Sequence, residues 1–205
     1  MERIEPEDVI YDVGANIGLV SLALALHPRG RESRVVAFEP EPGNLERLRA
    51  NLEANGLGDR VEGHGVALGA EDGSVGLHVR GGPGEGRHSI VDDRKALEAI
   101  SVPLRRAASL AEEGVPVPDV AKIDVEGAEG AVLEGMAPLI REGRPRELFL
   151  EVHEKGQGDR MPDGRSLHDW LESHGYRLAW TAHRRTRDYR HYTNAGDPVG
   201  PDAGS

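Results

Sequence analysis

Val9-Ile10-Tyr11-Asp12-Val13-Gly14-Ala15-Asn16-Ile17-Gly18 is the stretch whose reading decides how this chain folds. A short apolar run ends in the carboxylate of Asp12, passes through a loop of small residues and feeds an apolar helix from about Leu19. A nucleotide-type cofactor site opens in this way at the carboxyl edge of an α/β sheet. Gly14 lets the chain turn tightly off the strand, and Gly18 lets the following helix pack closely. Asn16, between them, is one of the few non-glycine residues that tolerate positive φ. A dinucleotide fingerprint reads G-x-G-x-x-G and sets a pyrophosphate on the helix N-terminus. Here Asp12 stands just before the turn, with no Lys or Arg between it and the helix. A fixed carboxylate there would repel a diphosphate and suits the ammonium and sulfonium of S-adenosylmethionine.

The second strand supports that reading. Arg34-Val35-Val36-Ala37-Phe38 is rich in β-branched and aromatic residues and ends in Glu39-Pro40, about twenty-five positions after Gly14. A carboxylate at that strand end can accept both hydroxyls of a ribose; the plainer alternative is that Glu39 only precedes a turn. Residues 61–68 read as a third strand, with Val66 and Ala67 either lining an adenine pocket or serving as ordinary core. Val120-Ala121-Lys122-Ile123-Asp124 reads as a fourth, parallel-type strand, and Glu147-Leu148-Phe149-Leu150-Glu151-Val152-His153 as a fifth. Ligands of an open parallel sheet lie beyond the carboxyl ends of its strands. Those ends present Asp12, Glu39, Ala67, Asp124 and Glu151 with His153. Four acidic ends of five fit a cationic, phosphate-free cofactor better than a nucleotide phosphate.

Between the strands, residues 17–26 read as a helix that is apolar nearly all round, as one buried against a sheet would be. Leu45, Leu48 and Leu52 repeat at helical spacing, and residues 131–140 continue as a single helix. Ser166 or Asp163 can cap a helix carrying Leu167, Trp170 and Leu171. Residues 176–180 and 189–193 form a terminal strand pair. Residues 81–86, glycine-rich, read as a mobile loop, with His88 and Ser89 after it at the mouth of the site or on the surface. Only eight residues precede the first strand, little material for a cap over the site. The expectation is one domain over residues 1–195 and a disordered tail over residues 196–205.

Composition narrows the function classes. The net charge of −11 over 205 residues argues against nucleic acid or an anionic membrane as partner. The chain has no cysteine, hence no thiolate nucleophile, thiolate metal site or disulfide framework. No apolar run is long enough to span a bilayer as a helix, so a soluble, cytoplasmic protein is expected. Lys122, inside a parallel strand, needs a partner, and a strand-end carboxylate is the expected one.

Taken together, Asp12–Gly18, Phe38-Glu39-Pro40, Ala67-Leu68-Gly69, Lys122-Ile123-Asp124-Val125-Glu126-Gly127-Ala128-Glu129 and Arg144-Pro145 with Glu151 resemble the FkbM-type methyltransferases, in the family's order from about Ile10 to Tyr176. The resemblance implies a Rossmann-like class I methyltransferase fold, an α/β architecture with a mostly parallel seven-stranded sheet and helices on both faces. It also implies S-adenosylmethionine as cofactor and O-methylation of a hydroxyl on a small-molecule acceptor, a glycoside or polyketide-like alcohol. By that resemblance Asp12, Gly14, Ala15, Asn16 and Gly18 hold the methionine portion, Glu39 with Pro40 the ribose, and Asp124 sits between cofactor and acceptor. The short N-terminus and the 81–86 loop depart from the family where acceptor recognition is expected. His153 is the expected general base, oriented by Glu151 or Asp124. A rival mechanism puts a divalent cation among Asp124, Glu126, Glu129 and Glu151, although helix-start charges and contacts to Lys122 explain those carboxylates equally well. An NAD-dependent oxidoreductase and a non-catalytic or partner-dependent cofactor-binding module remain as alternatives.

Overall fold

The computed structural model describes residues 3–79, 98–153, 159–184 and 187–194, and within them every side chain but those of Val79, Glu98 and His153. The 81–86 loop, His88, Ser89 and the 196–205 tail lie outside the described residues. Seven strands form one sheet in the order β3-β2-β1-β7-β8-β10-β9. They are β1 Val9–Val13, β2 Arg34–Phe38, β3 Val61–His64, β7 Val120–Ile123, β8 Glu147–His153, β9 Tyr176–Arg184 and β10 Arg187–Asn194. The first five run parallel, and β10 pairs antiparallel with both β8 and β9. A second sheet, β4-β6-β5, is built from β4 Ala67–Leu68, β5 Gly73–Val79 and β6 Glu98–Arg105.

Strand periodicity divides the core. Tyr11, Val13, Val36, Phe38, Ala121 and Ile123 face one apolar cluster, while Ile10, Val35, Ala37 and Val120, one residue out of phase, face the other. The first cluster is roofed by α3 Ala107–Glu112, α4 Glu129–Gly135, α5 Ala137–Arg141 and α6 Leu167–Ser173. The second is roofed by α1 Leu19–Leu26 and α2 Pro42–Ala54. Tyr11, wholly buried, satisfies its hydroxyl by donating to the Pro116 carbonyl at 2.8 Å, and burial pushes its pKa up. The mostly parallel seven-stranded sheet with helices on both faces is the α/β architecture that the resemblance implies.

Three local expectations need correction. Helix α1 is not buried all round: it hides Ser21, Leu24 and Ala25 and leaves Leu19, Val20 and Leu26 exposed, because a helix lying on a sheet buries one stripe. The single helix expected over residues 131–140 is two, separated at Met136, since Pro138 has no N–H and cannot continue the α4 ladder. The strand expected over residues 61–68 breaks after His64, so Ala67 belongs to the second sheet and is not a strand end of the first.

Candidate active site

At the carboxyl edge a cavity of about 270 Å³ opens among the ends of β1, β2 and β7, the β4 segment, and Arg187 at the start of β10. Gly14, Asn16, Glu39, Pro40, Val66, Ala67 and Asp124, all expected at the cofactor, line it. Phe38, Leu68, Leu77 and Val125 add apolar wall.

The glycine loop is held from below. Gly14 lies at φ +77°, and a Cβ there would stand 1.9 Å from the Asp124 carbonyl oxygen, so only glycine fits. Asn16 takes the left-handed conformation at φ 53°, and its Oδ1 accepts from the Ile17 N–H at 2.7 Å. The Gly14 and Ala15 N–H groups both donate to the Phe38 carbonyl, and the Gly18 N–H to Ala15. The Asn16 N–H donates to Glu39 Oε2 at 2.8 Å, and the Glu41 N–H to Glu39 Oε1 at 2.9 Å. Each Glu39 oxygen thus meets a backbone donor, and Oε1 also meets the Asn44 side-chain amide at 3.5 Å, so the carboxylate is held in place at the cavity wall. The same bonds take every N–H from Gly14 to Gly18, and a loop whose donors are taken is a poor phosphate cradle.

Asp12 sits elsewhere than expected. It is 0% exposed and does not line the cavity. One residue along from Tyr11, it shares the α1 face with Ile10, where its Oδ2 accepts from Ser21 Oγ at 2.6 Å and its Oδ1 lies 3.1 Å from Lys122 Nζ. Its charge is answered inside the protein, so discrimination against a diphosphate falls to the loop's occupied donors and to Glu39. Ala15 is core and Gly18 caps α1; neither lines the cavity. Lys122 has the strand-end partners expected of it, in Asp12 and, at 3.7 Å, Asp124.

Beyond Asp124 the chain turns sharply, with Glu126 at φ 54° and Gly127 at φ 107°. Glu126 lines the cavity, and its Oε1 lies 3.3 Å from Arg187 Nη2. Arg187 also bonds Glu151, which lies behind the wall. Burial works against the guanidinium's charge, but Glu151 and Glu126 outweigh it, and its pKa is raised. Arg187 escaped the sequence reading because its pairing with β8 arises only when the terminal hairpin folds back; its alternating strand residues signal the strand alone. His153 closes β8 opposite Arg187, and its side chain lies outside the described residues. Glu129 is buried, with Oε1 accepting from the Gly127 N–H at 3.1 Å. Among the described residues, no three His, Asp or Glu side chains are grouped to hold a metal ion, and no helix is long and apolar enough to cross a membrane.

Comparison with known proteins adds to this geometry. Hexuronic acid methyltransferase AglP of Haloferax volcanii is 32% identical over 75% of this chain and 59% of its own length. The 31-O-demethyl-FK506 methyltransferase FkbM of Streptomyces tacrolimicus is 29% identical over 74% of this chain and 68% of its own. AMB antimetabolite synthetase AmbE of Pseudomonas aeruginosa is 34% identical over 86% of this chain, which spans only 10% of that protein. The crystal structure of Methyltransferase FkbM from Methylobacillus flagellatus superposes with a TM-score of 0.66 at 22% identity, over 93% of this chain and 44% of that one. Residues 12–178 match the methyltransferase FkbM domain, and the chain therefore belongs to the FkbM methyltransferase family.

Proposed function

We propose that this chain is an S-adenosylmethionine-dependent O-methyltransferase acting on a hydroxyl of a sugar or secondary-metabolite acceptor. The observation that carries the reading is the pairing of Glu39, a carboxylate held in the cavity wall, with a glycine loop whose N–H groups from Gly14 to Gly18 are all taken. A ligand with a ribose and no phosphate suits that pairing, and NAD does not. The apolar wall of Phe38, Leu68 and Leu77 suits an adenine. The names of AglP, a hexuronic acid methyltransferase, and FkbM, a 31-O-demethyl-FK506 methyltransferase, support a hydroxyl acceptor of the sugar or secondary-metabolite type.

Bound S-adenosylmethionine supplies a methyl group on a sulfonium, whose sulfur keeps the bonding pair when the methyl passes to oxygen. The protein's part is to bring the acceptor to attack distance, exclude water and receive the hydroxyl proton. Asp124, between the glycine loop and Glu126, orients the hydroxyl. His153 ends β8 at the same edge and is the general base of this reading.

Calorimetric titration with S-adenosylhomocysteine and NAD tests the cofactor: micromolar binding of the first and none of the second is expected, and the reverse would sink the proposal. A methyl-transfer screen on glycosides and polyketide alcohols then tests the acceptor. His153→Gln should leave S-adenosylhomocysteine binding intact and lower turnover at least about a hundredfold; unchanged turnover removes His153 from the mechanism.

A further inference from the structure

Lys122 makes more contacts than neutralising Asp12 requires. Its strand register sets it beside Asp12 on β1 and Phe149 on β8. From there its ammonium lies 3.1 Å from Asp12 Oδ1, donates to the Gly14 carbonyl at 3.0 Å and the Val13 carbonyl at 3.4 Å, and stands 3.7 Å from Asp124 Oδ2. An ammonium has three N–H donors, and of these partners Val13 and Gly14 from the β1 end and Asp124 from the β7 end line the cavity. The loop's peptide planes are thus held twice, with Val13 and Gly14 carbonyls turned to Lys122 while the Gly14 and Ala15 N–H groups turn to Phe38. On the far side, the Asp124 carbonyl packs against Gly14, where a Cβ would stand 1.9 Å from its oxygen.

We infer that Lys122 is a positioning residue that pins the glycine loop to Asp124, keeping the cofactor and acceptor sides of the cavity at one spacing. The inference rests on the proposed function, since it assigns a task within that same site. The groups facing the ammonium are Asp12 and Asp124, with Glu151 farther off, and Ser21 meets Asp12 from α1. Burial works against the ammonium's charge, but these carboxylates outweigh it, its pKa is raised, and the pin stays charged at neutral pH.

Lys122→Met alone would strand Asp12 as a buried unpaired charge and threaten folding, so the test removes both charges. The variants are Asp12→Asn with Lys122→Met, and Asp12→Asn with Lys122→Arg, each checked by thermal melting. The readout is the Kd for S-adenosylhomocysteine. The Asn–Met pair should melt close to the wild type yet bind at least about tenfold more weakly, and the Asn–Arg pair, which returns a cation without restoring Asp12, should recover most of that loss. Binding by the Asn–Met pair within twofold of wild type overturns the inference, because Lys122 would then only offset Asp12. Equal weakening in both pairs overturns it too, because the cation would not matter. A wild type that ignores S-adenosylhomocysteine fails the proposed function itself, a result distinct from tight wild-type binding that the substitutions leave unchanged.

Discussion

The two ends of the cavity are built differently. At the β1–β2 end, the glycine loop and Glu39 are joined by backbone hydrogen bonds between residues about two dozen positions apart, within one strand-helix-strand unit. At the β7–β10 end, Glu126 and Glu151 are held by Arg187, sixty-one and thirty-six positions away in sequence. The first end is a backbone cradle with one carboxylate; the second is a pair of side-chain ion pairs, both to the one partly exposed Arg187 guanidinium. Backbone cradles tolerate little change, whereas exposed ion pairs can be re-formed with other partners.

The comparison is broken most directly at Gly14. Gly14→Ala puts a methyl against the Asp124 carbonyl at positive φ and should lower stability by about 3 kcal/mol or more in chemical denaturation. A near-neutral result would mean the loop is loose and the two ends alike. Next in size, Glu39→Gln removes the charge from the carboxylate proposed to accept the ribose and should weaken S-adenosylhomocysteine about thirtyfold, roughly 2 kcal/mol, by calorimetry. Arg187→Met sharpens the contrast from the other side: acceptor kcat/KM should fall about tenfold, near 1.4 kcal/mol, with cofactor Kd unchanged within twofold. A parallel loss of cofactor affinity would erase the division of labour. Smallest, Glu126→Gly relieves a left-handed glutamate and should raise stability by about 0.5 kcal/mol while acceptor turnover drops, as expected where strain is kept for function.

How much of this was legible in the chain follows the same division. Asn16 at positive φ, Glu39 in the cavity wall and the five parallel strands are readable because each depends on neighbours along the sequence. Asp12 was misread for a reason of parity: the residue at a strand's last turn can point to the helix face as readily as to the ligand, and Ser21 and Lys122 decide which. The break between β3 and β4 is not legible in the sequence because residues 65–68 carry no turn signal stronger than what precedes them, and the departure of Ala67 and Leu68 to a second sheet is settled by pairing with β6.

The sequence by itself determined the alternation of strand and helix, the glycine loop and the carboxylate after β2, since local sterics and periodicity act over a few residues. Only the tertiary structure decided that Lys122 faces Asp12, that Arg187 arrives between Glu126 and Glu151, and that Ala67 leaves the main sheet. Those outcomes depend on which distant segments lie side by side, and a charge buried in a sheet takes the partner that strand register brings to it.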